Sequence, residues 1–318
     1  MRKLVFTNMS YILRIGIFVF VVALSAVLYS AVENIGIKNL EAKRKVYKEE
    51  PKEKKIDEVT IKVVKPIHLT IEKPNLINSI SNCNEVLPII YDKPINFNSV
   101  SVRQKKKKFI DYMLPQILVV NFEIEQQRKA VEKIRDKLAQ GKELTKAEEK
   151  FLNKLMVYYK AKSINSLINR LHTNPPSLVL AQAIAESGWG TSRFYLEGSN
   201  AFGITAIRGK GNTIKMYGKN IYMRKYNKVI NSIRDYYYSI NVSWAFEKLR
   251  KVRLSTDDPI EISHHLGYYS TLRDIYIRRI QYIIKVNNLR KLDKCKINPI
   301  YIYEIPLSKY MQDKDKNF

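Results

Sequence analysis

SLVLAQAIAESGWGTSRFYLEGSNAFGITAI, residues 177–207, changes character twice. Leu178, Leu180, Ala181, Ala183, Ile184 and Ala185 leave almost no polar face on its first third, so the spacing predicts a helix buried nearly all round. Asn174 is placed to cap this helix, with Pro175 at the first helical position. Gly188 stops it, since glycine accepts the left-handed conformation that ends helices. Beyond residue 204 the apolar period falls to two. ITAI, TIKMY and NIYMRKY are separated by Gly209-Lys210-Gly211-Asn212 and Gly218-Lys219-Asn220. These are hairpin signals, and they predict a small antiparallel sheet after a core helix.

Working outward, the pattern is helical on both sides. Val102 opens a run through Phe109, Tyr112, Met113 and Leu114 to Pro115, and a second run covers Ile117 to Gln140, stopping at Gly141. Thr145-Lys-Ala-Glu148 reads as a capping box ahead of Phe151, Leu155 and Tyr158. Further helices are expected over about 163–171, 230–239, 243–252, 260–265 and 272–289. The expected fold is mainly α with a small antiparallel β-lobe, an α+β architecture.

Glu186 lies in the last turn of the buried helix. The helix end carries partial negative charge and burial disfavours an ionised carboxylate, so both push its pKa up. A carboxylic acid held protonated near neutrality is what cleavage of a glycosidic bond requires. Trp189, just past the helix stop, offers a flat face to a sugar ring. The same residues also fit a plain helix end with a half-exposed Glu and a core Trp.

The pattern A-x-A-x-E-S-G-W-G-T-S-R-F followed by N-x-F-G resembles the glucosaminidase domains of glycoside hydrolase family 73, and its Bax branch more than its flagellar one. VRQKKKKFIDYMLPQILVVNFEI (102–124), SIRDYYYSIN (232–241) and HLGYYSTLRDIYI (265–277) extend the resemblance over roughly residues 100–290. It implies a lysozyme-like fold, peptidoglycan glycan strands as substrate, and cleavage of the β-1,4 bond after N-acetylglucosamine. It also implies Glu186 as the catalytic acid and Tyr269 as a catalytic tyrosine near the substrate's acetamido group. Trp189, Asn200, Phe202, Gly203 and Tyr236 follow as substrate-binding positions. Some members of the family carry a second carboxylate in the β-lobe, whereas here no Asp or Glu occurs between Glu197 and Asp235. That leaves acetamido-assisted or transglycosylase-like chemistry, or a carboxylate such as Asp235 or Glu261 arriving from a helix. A catalytically weak wall-binding protein is the alternative.

Of 318 residues, 56 are Lys or Arg and 30 are Asp or Glu, a net charge of +26. An apolar share of 45% rules out a mostly disordered chain. Residues 1–100 carry 15 basic and 10 acidic groups, and residues 101–318 carry 41 and 20, so the charge sits on the folded part. It favours an anionic partner. Nucleic acid is not expected, because Ile15–Val32 is an uncharged run of about 27 Å as a helix, close to one bilayer core. Arg2, Lys3 and Arg14 precede it, which places residues 1–14 in the cytoplasm and the remainder across the membrane, in the periplasm or exterior. Residues 15–32 are therefore expected to be a transmembrane anchor, or alternatively a cleaved signal segment. Residues 33–99, first charged and then Pro-containing, are expected to form a spacer, mostly extended, that contributes at most an edge strand. The glucosaminidase domain is placed at 100–290 and an extended tail at 291–318. Cys83 and Cys295 flank the domain and can pair outside the cytoplasm. His172, His264 and His265 lack the spacing of a metal site, and no metal or cofactor is expected.

Overall fold

The computed structural model describes residues 58–206 and 211–315. The expected membrane segment and the charged run up to residue 57 lie outside the described residues. Among the described residues no helix is long and apolar enough to cross a membrane.

Among the described residues the chain is mostly helical, with three small sheets. Strands β1 (Thr60–Val64), β2 (Ile67–Leu69) and β3 (Ile89–Tyr91) come first. Helices α1 (Val102–Ala139), α2 (Lys146–Tyr158), α3 (Ile164–Arg170), α4 (Pro176–Ser187) and α5 (Arg193–Gly198) follow. The β-lobe consists of β4 (Thr205–Ala206), β5 (Thr213–Lys215) and β6 (Tyr222–Arg224). Then come α6 (Val229–Val242), α7 (Glu247–Val252), α8 (Pro259–Ser263) and α9 (Asp274–Val286). The chain closes with β7 (Ile302–Pro306) and α10 (Leu307–Asp315).

Helix α4 is the centre of the core. Leu178, Val179, Leu180, Ala181 and Ala183 have no exposed surface. Around it stand α1, α8, α9 and the 3-10 turn Leu289–Lys294. Its start differs by one residue from the sequence expectation. Pro175 is the cap and Pro176 the first helical residue. Asn174 is released from capping and is used in the core instead. The N-terminal turn is held by Asp293, whose carboxylate accepts from the Ser177 N–H at 2.7 Å and from its hydroxyl at 2.8 Å.

Helix α1 runs unbroken through Pro115, where two runs were expected. A proline inside a helix costs about 3 kcal/mol, because it removes one hydrogen bond and crowds the preceding turn. Here Tyr112–Val120 are all buried, so ending the helix would forfeit more than it saved. The Gln116 side chain also donates to the Tyr112 carbonyl at 3.0 Å within the disturbed turn. Helix α2 opens on the expected capping box of Thr145 and Glu148.

The β-lobe is antiparallel, in the order β4-β6-β5, so β6 is central and pairs with both others. The flanking segments depart most from expectation. The expected spacer folds onto the body from residue 58 onward. β1 pairs antiparallel with β7 in the register Ile61↔Ile305, and β2 pairs parallel with β3. Ile61, Ile77, Tyr91, Ile95 and Phe97 are buried. The expected extended tail carries β7 and α10. Each strand of the β1–β7 pair supplies the other's backbone partners, which neither can find locally.

Cys83 and Cys295 form a disulfide across a sequence separation of 212. Closing so long a loop restricts the unfolded chain strongly, by up to about 5 kcal/mol in chain-entropy accounts. Reduction, or Cys83→Ser with Cys295→Ser, is therefore expected to lower unfolding stability by about 2–5 kcal/mol in denaturant titrations. Equal midpoints with and without reductant would show that the noncovalent links, the β1–β7 pair and the Val86–Ile297 bridge among them, suffice to hold the two flanks.

Candidate active site

Glu186 stands one residue before the end of α4, half-buried. Gly188 caps the helix in the left-handed region with φ 59°, and Trp189 (φ 61°) and Gly190 (φ 71°) repeat that conformation. For a residue as bulky as Trp189 this backbone is uncommon and must be held from outside. The Ser187 hydroxyl accepts from the Gly190 N–H at 3.0 Å, and the Thr191 hydroxyl donates to the Gly188 carbonyl at 2.7 Å. A side chain at Gly190 would come within 2.6 Å of the Phe97 ring. The segment expected to be spacer thus forms one wall of the turn that follows Glu186.

Burial pushes the Glu186 carboxyl up from its usual range, and two groups partly offset it. The Tyr276 hydroxyl donates to the carboxylate, and the Arg279 guanidinium stabilises its charge. Arg279 also donates to the Ala185 carbonyl at 3.3 Å, satisfying part of the helix end. Tyr276 is only 3% exposed. Its oxygen accepts from Gln182 Nε2 at 3.2 Å, which leaves its own proton directed at Glu186.

The chain of donors continues inward. Tyr236 donates to Gln182 Oε1 at 2.7 Å, and Asn174 Nδ2 donates to the Tyr236 hydroxyl at 2.9 Å. Arg253 Nη1 donates to Asn174 Oδ1 at 3.3 Å. Arg253 is fully buried, and burial pushes its pKa down to about 9. Its other partners are the Asn241 side chain at 2.6 Å and the Arg170 carbonyl at 3.3 Å. From Arg253 to Glu186, each group donates toward the carboxylate.

The N-x-F-G loop packs directly on Glu186. Asn200 Nδ2 donates to the carbonyls of Ile204 (2.9 Å) and Arg224 (3.0 Å), and its Oδ1 accepts from the Ile204 N–H at 3.0 Å. It ties the loop to the edge of the β-lobe. Phe202 is buried and stacks on Tyr236 with centroids 4.5 Å apart. Gly203 has φ 63°, and a Cβ there would lie 3.0 Å from Glu186 Oε2, so glycine is required both by backbone and by space. The Tyr269 hydroxyl donates to the Phe202 carbonyl at 3.0 Å, and its ring lies parallel to that of Tyr276 at 5.5 Å. Tyr268, beside it in sequence, points outward and is 57% exposed.

Trp189, Asn200, Phe202, Gly203, Tyr236 and Tyr269 gather near Glu186 at the end of α4, in different positions relative to solvent, whereas Asp235 and Glu261 do not join them. Glu186, Trp189 and Tyr269 are half-buried at the surface of the site. Asn200, Phe202 and Tyr236 are not available to a ligand as expected. Each is at most 1% exposed, with its polar atoms or ring committed within the protein, so each positions the site from behind. Trp189 meets Phe109 edge to face at 5.9 Å and carries Lys106 over its ring at 5.4 Å. Asp235 is taken by Arg224 and Tyr226, both at 2.6 Å. Glu261 lies exposed on α8, among the N-terminal turns capped by Asp258. Sequence reasoning missed Gln182, Tyr276 and Arg279 as partners of Glu186. For Gln182 a signal was present, since it is the one polar residue in the apolar run, four residues before Glu186 on the same helix face.

Residues 161–289 match the glucosaminidase family model, described as mannosyl-glycoprotein endo-beta-N-acetylglucosaminidase. This stretch of the chain is therefore similar to a glucosaminidase domain. Protein bax of Escherichia coli (strain K12) is 29% identical over 181 residues, a match covering 52% of this chain and 64% of that protein. The chain thus spans somewhat less than two thirds of that relative's length. Two solved structures are similar at 22% identity. The catalytic domain of the autolysin Auto from Listeria monocytogenes has a TM-score of 0.33, with 51% of this chain and 96% of that chain covered. A C-terminally truncated glycoside hydrolase domain of FlgJ from Salmonella typhimurium has a TM-score of 0.29, with 44% and 96% covered. The glucosaminidase domain contains α4, the β-lobe, Tyr269 and Tyr276. The strands at 60–91 and 302–306 lie outside the matched residues.

Because the Tyr276 hydroxyl favours the charged form of Glu186, removing it in Tyr276→Phe is expected to raise the Glu186 pKa further. Gln182→Leu should shift it in the same direction by less, since the Tyr276 proton is then no longer held in place. Carboxyl chemical shifts followed against pH measure both. An unmoved Glu186 titration in Tyr276→Phe would remove the hydroxyl as its partner.

Proposed function

We propose that the protein is a peptidoglycan hydrolase that cleaves the β-1,4 bond after N-acetylglucosamine, with Glu186 as general acid. The observation that carries this reading is a carboxyl group held at elevated pKa by burial at the end of α4, in a glucosaminidase domain, with glycine facing it where a substrate oxygen must approach. Glu186 gives its proton to the glycosidic oxygen, and the C1–O electron pair leaves with the departing sugar. Asp235 is bound by Arg224 and Tyr226, so the nucleophile is assigned to the substrate. The oxygen of its own 2-acetamido group attacks C1 and forms a cyclic oxazolinium. Glu186, now ionised, takes a proton from the water that opens this ring. The tyrosine pair at 269 and 276 fixes the loop and the carboxylate between which this happens.

We further propose that catalysis takes place outside the cytoplasm, with Ile15–Val32 as the tether. The Cys83–Cys295 disulfide supports an oxidising compartment. The +26 charge suits a chain that works beside anionic wall polymers.

Glu186→Gln is expected to fold normally and lose at least about 100-fold in fragment release from purified peptidoglycan. Mass analysis of the wild-type digest should find reducing N-acetylglucosamine ends. Anhydro ends would instead indicate internal attack by the sugar's own hydroxyl, and near-normal release by the Gln variant would remove Glu186 from the chemistry. A folded wild-type protein that binds peptidoglycan but releases nothing would favour the wall-binding alternative.

In cells, the full chain is expected in the membrane fraction. Its domain should become accessible to protease only after the outer barrier is opened. A protected cytosolic domain would overturn both the topology and the wall substrate.

A further inference from the structure

Two segments meet beside the Glu186 site, and they meet twice. Phe246 and Tyr269 face inward, with ring centroids 6.1 Å apart. Trp244 and Tyr268 face outward from the same two segments and meet edge to face at 5.5 Å. The outer pair is therefore held in place by the inner one. Trp244 is nevertheless 76% exposed and Tyr268 57%. Single exposed apolar side chains are ordinary, but two large aromatic rings packed on each other in water leave a broad apolar face uncovered.

The base of this pair is rigid. Trp244 opens a 3-10 turn, Trp244–Phe246, in which the Ser243 hydroxyl accepts from the Ala245 N–H. Arg250 Nη1 donates to the carbonyls of Ser243 at 2.7 Å and Ile240 at 2.8 Å, locking the turn to α6. On the other side, the Arg273 guanidinium sits 5.1 Å above the Tyr268 ring. Arg273 has φ 43° and ψ −107°, a backbone conformation strained for any L residue, held by its N–H to the Ser270 carbonyl at 3.1 Å. Strain of this kind concentrates where a side chain must be aimed.

The pair is continuous with the reacting centre. Tyr269 follows Tyr268 directly, lies parallel to Tyr276 and fixes the Phe202 carbonyl, and Gly203 next to it touches Glu186. A polymeric substrate must leave the site over its rim, and this rim is aromatic. We propose that Trp244 and Tyr268, with Arg273, form an outer sugar-binding site that holds the glycan strand beyond the bond being cleaved. The ligand class is an N-acetylated hexose of a β-1,4-linked glycan. Its apolar C–H face lies on the exposed indole, while the guanidinium donates to an acetamido oxygen or a carboxylate of the strand. This inference rests on the peptidoglycan reading above, and its test separates the two.

The experiment uses the full chain carrying Trp244→Ala together with Tyr268→Ala. Both side chains are exposed, so thermal melting should be nearly unchanged. Fragment release is measured against the concentration of purified peptidoglycan. In parallel, co-sedimentation with peptidoglycan is measured for proteins carrying Glu186→Gln with and without the pair of substitutions. The expected result is a half-saturating concentration raised about five- to tenfold with maximal turnover little changed, and sedimentation weakened in the same ratio. Trp244→Phe should restore most of the loss. Unchanged saturation and unchanged sedimentation would overturn the site. So would a fall in maximal turnover alone, since that indicates damage to Tyr269 from behind. If the pair of substitutions instead abolishes self-association in sedimentation velocity, the patch is an interface between copies and the sugar site is wrong. If unsubstituted protein sediments with peptidoglycan through this pair yet releases no fragments, the sugar site stands and the hydrolase reading falls.

Discussion

Everything near α4 answers to one constraint: a carboxyl group is held at the end of a helix buried on all sides. Burial and the helix end both disfavour its ionised form. The structure leaves the elevated pKa in place and limits it with two groups, the Tyr276 hydroxyl and the Arg279 guanidinium. Gly188, Trp189 and Gly190 turn the chain sharply through left-handed conformations, so that the backbone leaves without covering Glu186. Gly203 then approaches from the β-lobe side with no side chain to intervene. A side chain at Gly203 would fill the space that the carboxyl group needs, and one at Gly190 would strike the Phe97 ring behind the turn.

Behind this front lies a polar network in an otherwise apolar core. Arg253, Asn174, Tyr236, Gln182 and Tyr276 each donate to the next, ending at Glu186. A half-satisfied buried network would be worse than an apolar core, because each unpaired polar atom costs about 1–3 kcal/mol. Here nearly every atom is used, Arg253 Nε being an exception. The network explains why Tyr236 and Asn174 are polar although neither reaches solvent. It also gives the Tyr276 hydroxyl a single proton orientation, which a lone hydroxyl in an apolar pocket would not have.

The glucosaminidase domain is bracketed by flanks that serve its site. Residues 58–99 bring Phe97 against Gly190 and Phe109, and Phe109 in turn meets Trp189. Residues 302–306 supply the partner strand for Thr60–Val64, and the disulfide fastens the two flanks a second time. The wall of the turn after Glu186 thus depends on a strand pair more than two hundred residues apart in sequence.

The sequence by itself determined the core helix, its glycine stop, the position of Glu186 and the two-period lobe after it. These are set by interactions within a few residues, which periodicity and capping chemistry record directly. Tertiary structure alone decided that α1 continues through Pro115, because burial of the surrounding turn outweighs the local cost of proline. It moved Asn174 from a helix cap into the core network, where a buried arginine needed its oxygen. It turned residues 58–99 from spacer into strands and wall, since their backbone partners lie at the far end of the chain and leave no local period to read. It also separated Tyr268 from Tyr269, neighbours of identical chemistry. Only the packing of Phe246, Phe202 and Tyr276 determines which ring turns inward to the site and which is left to the solvent.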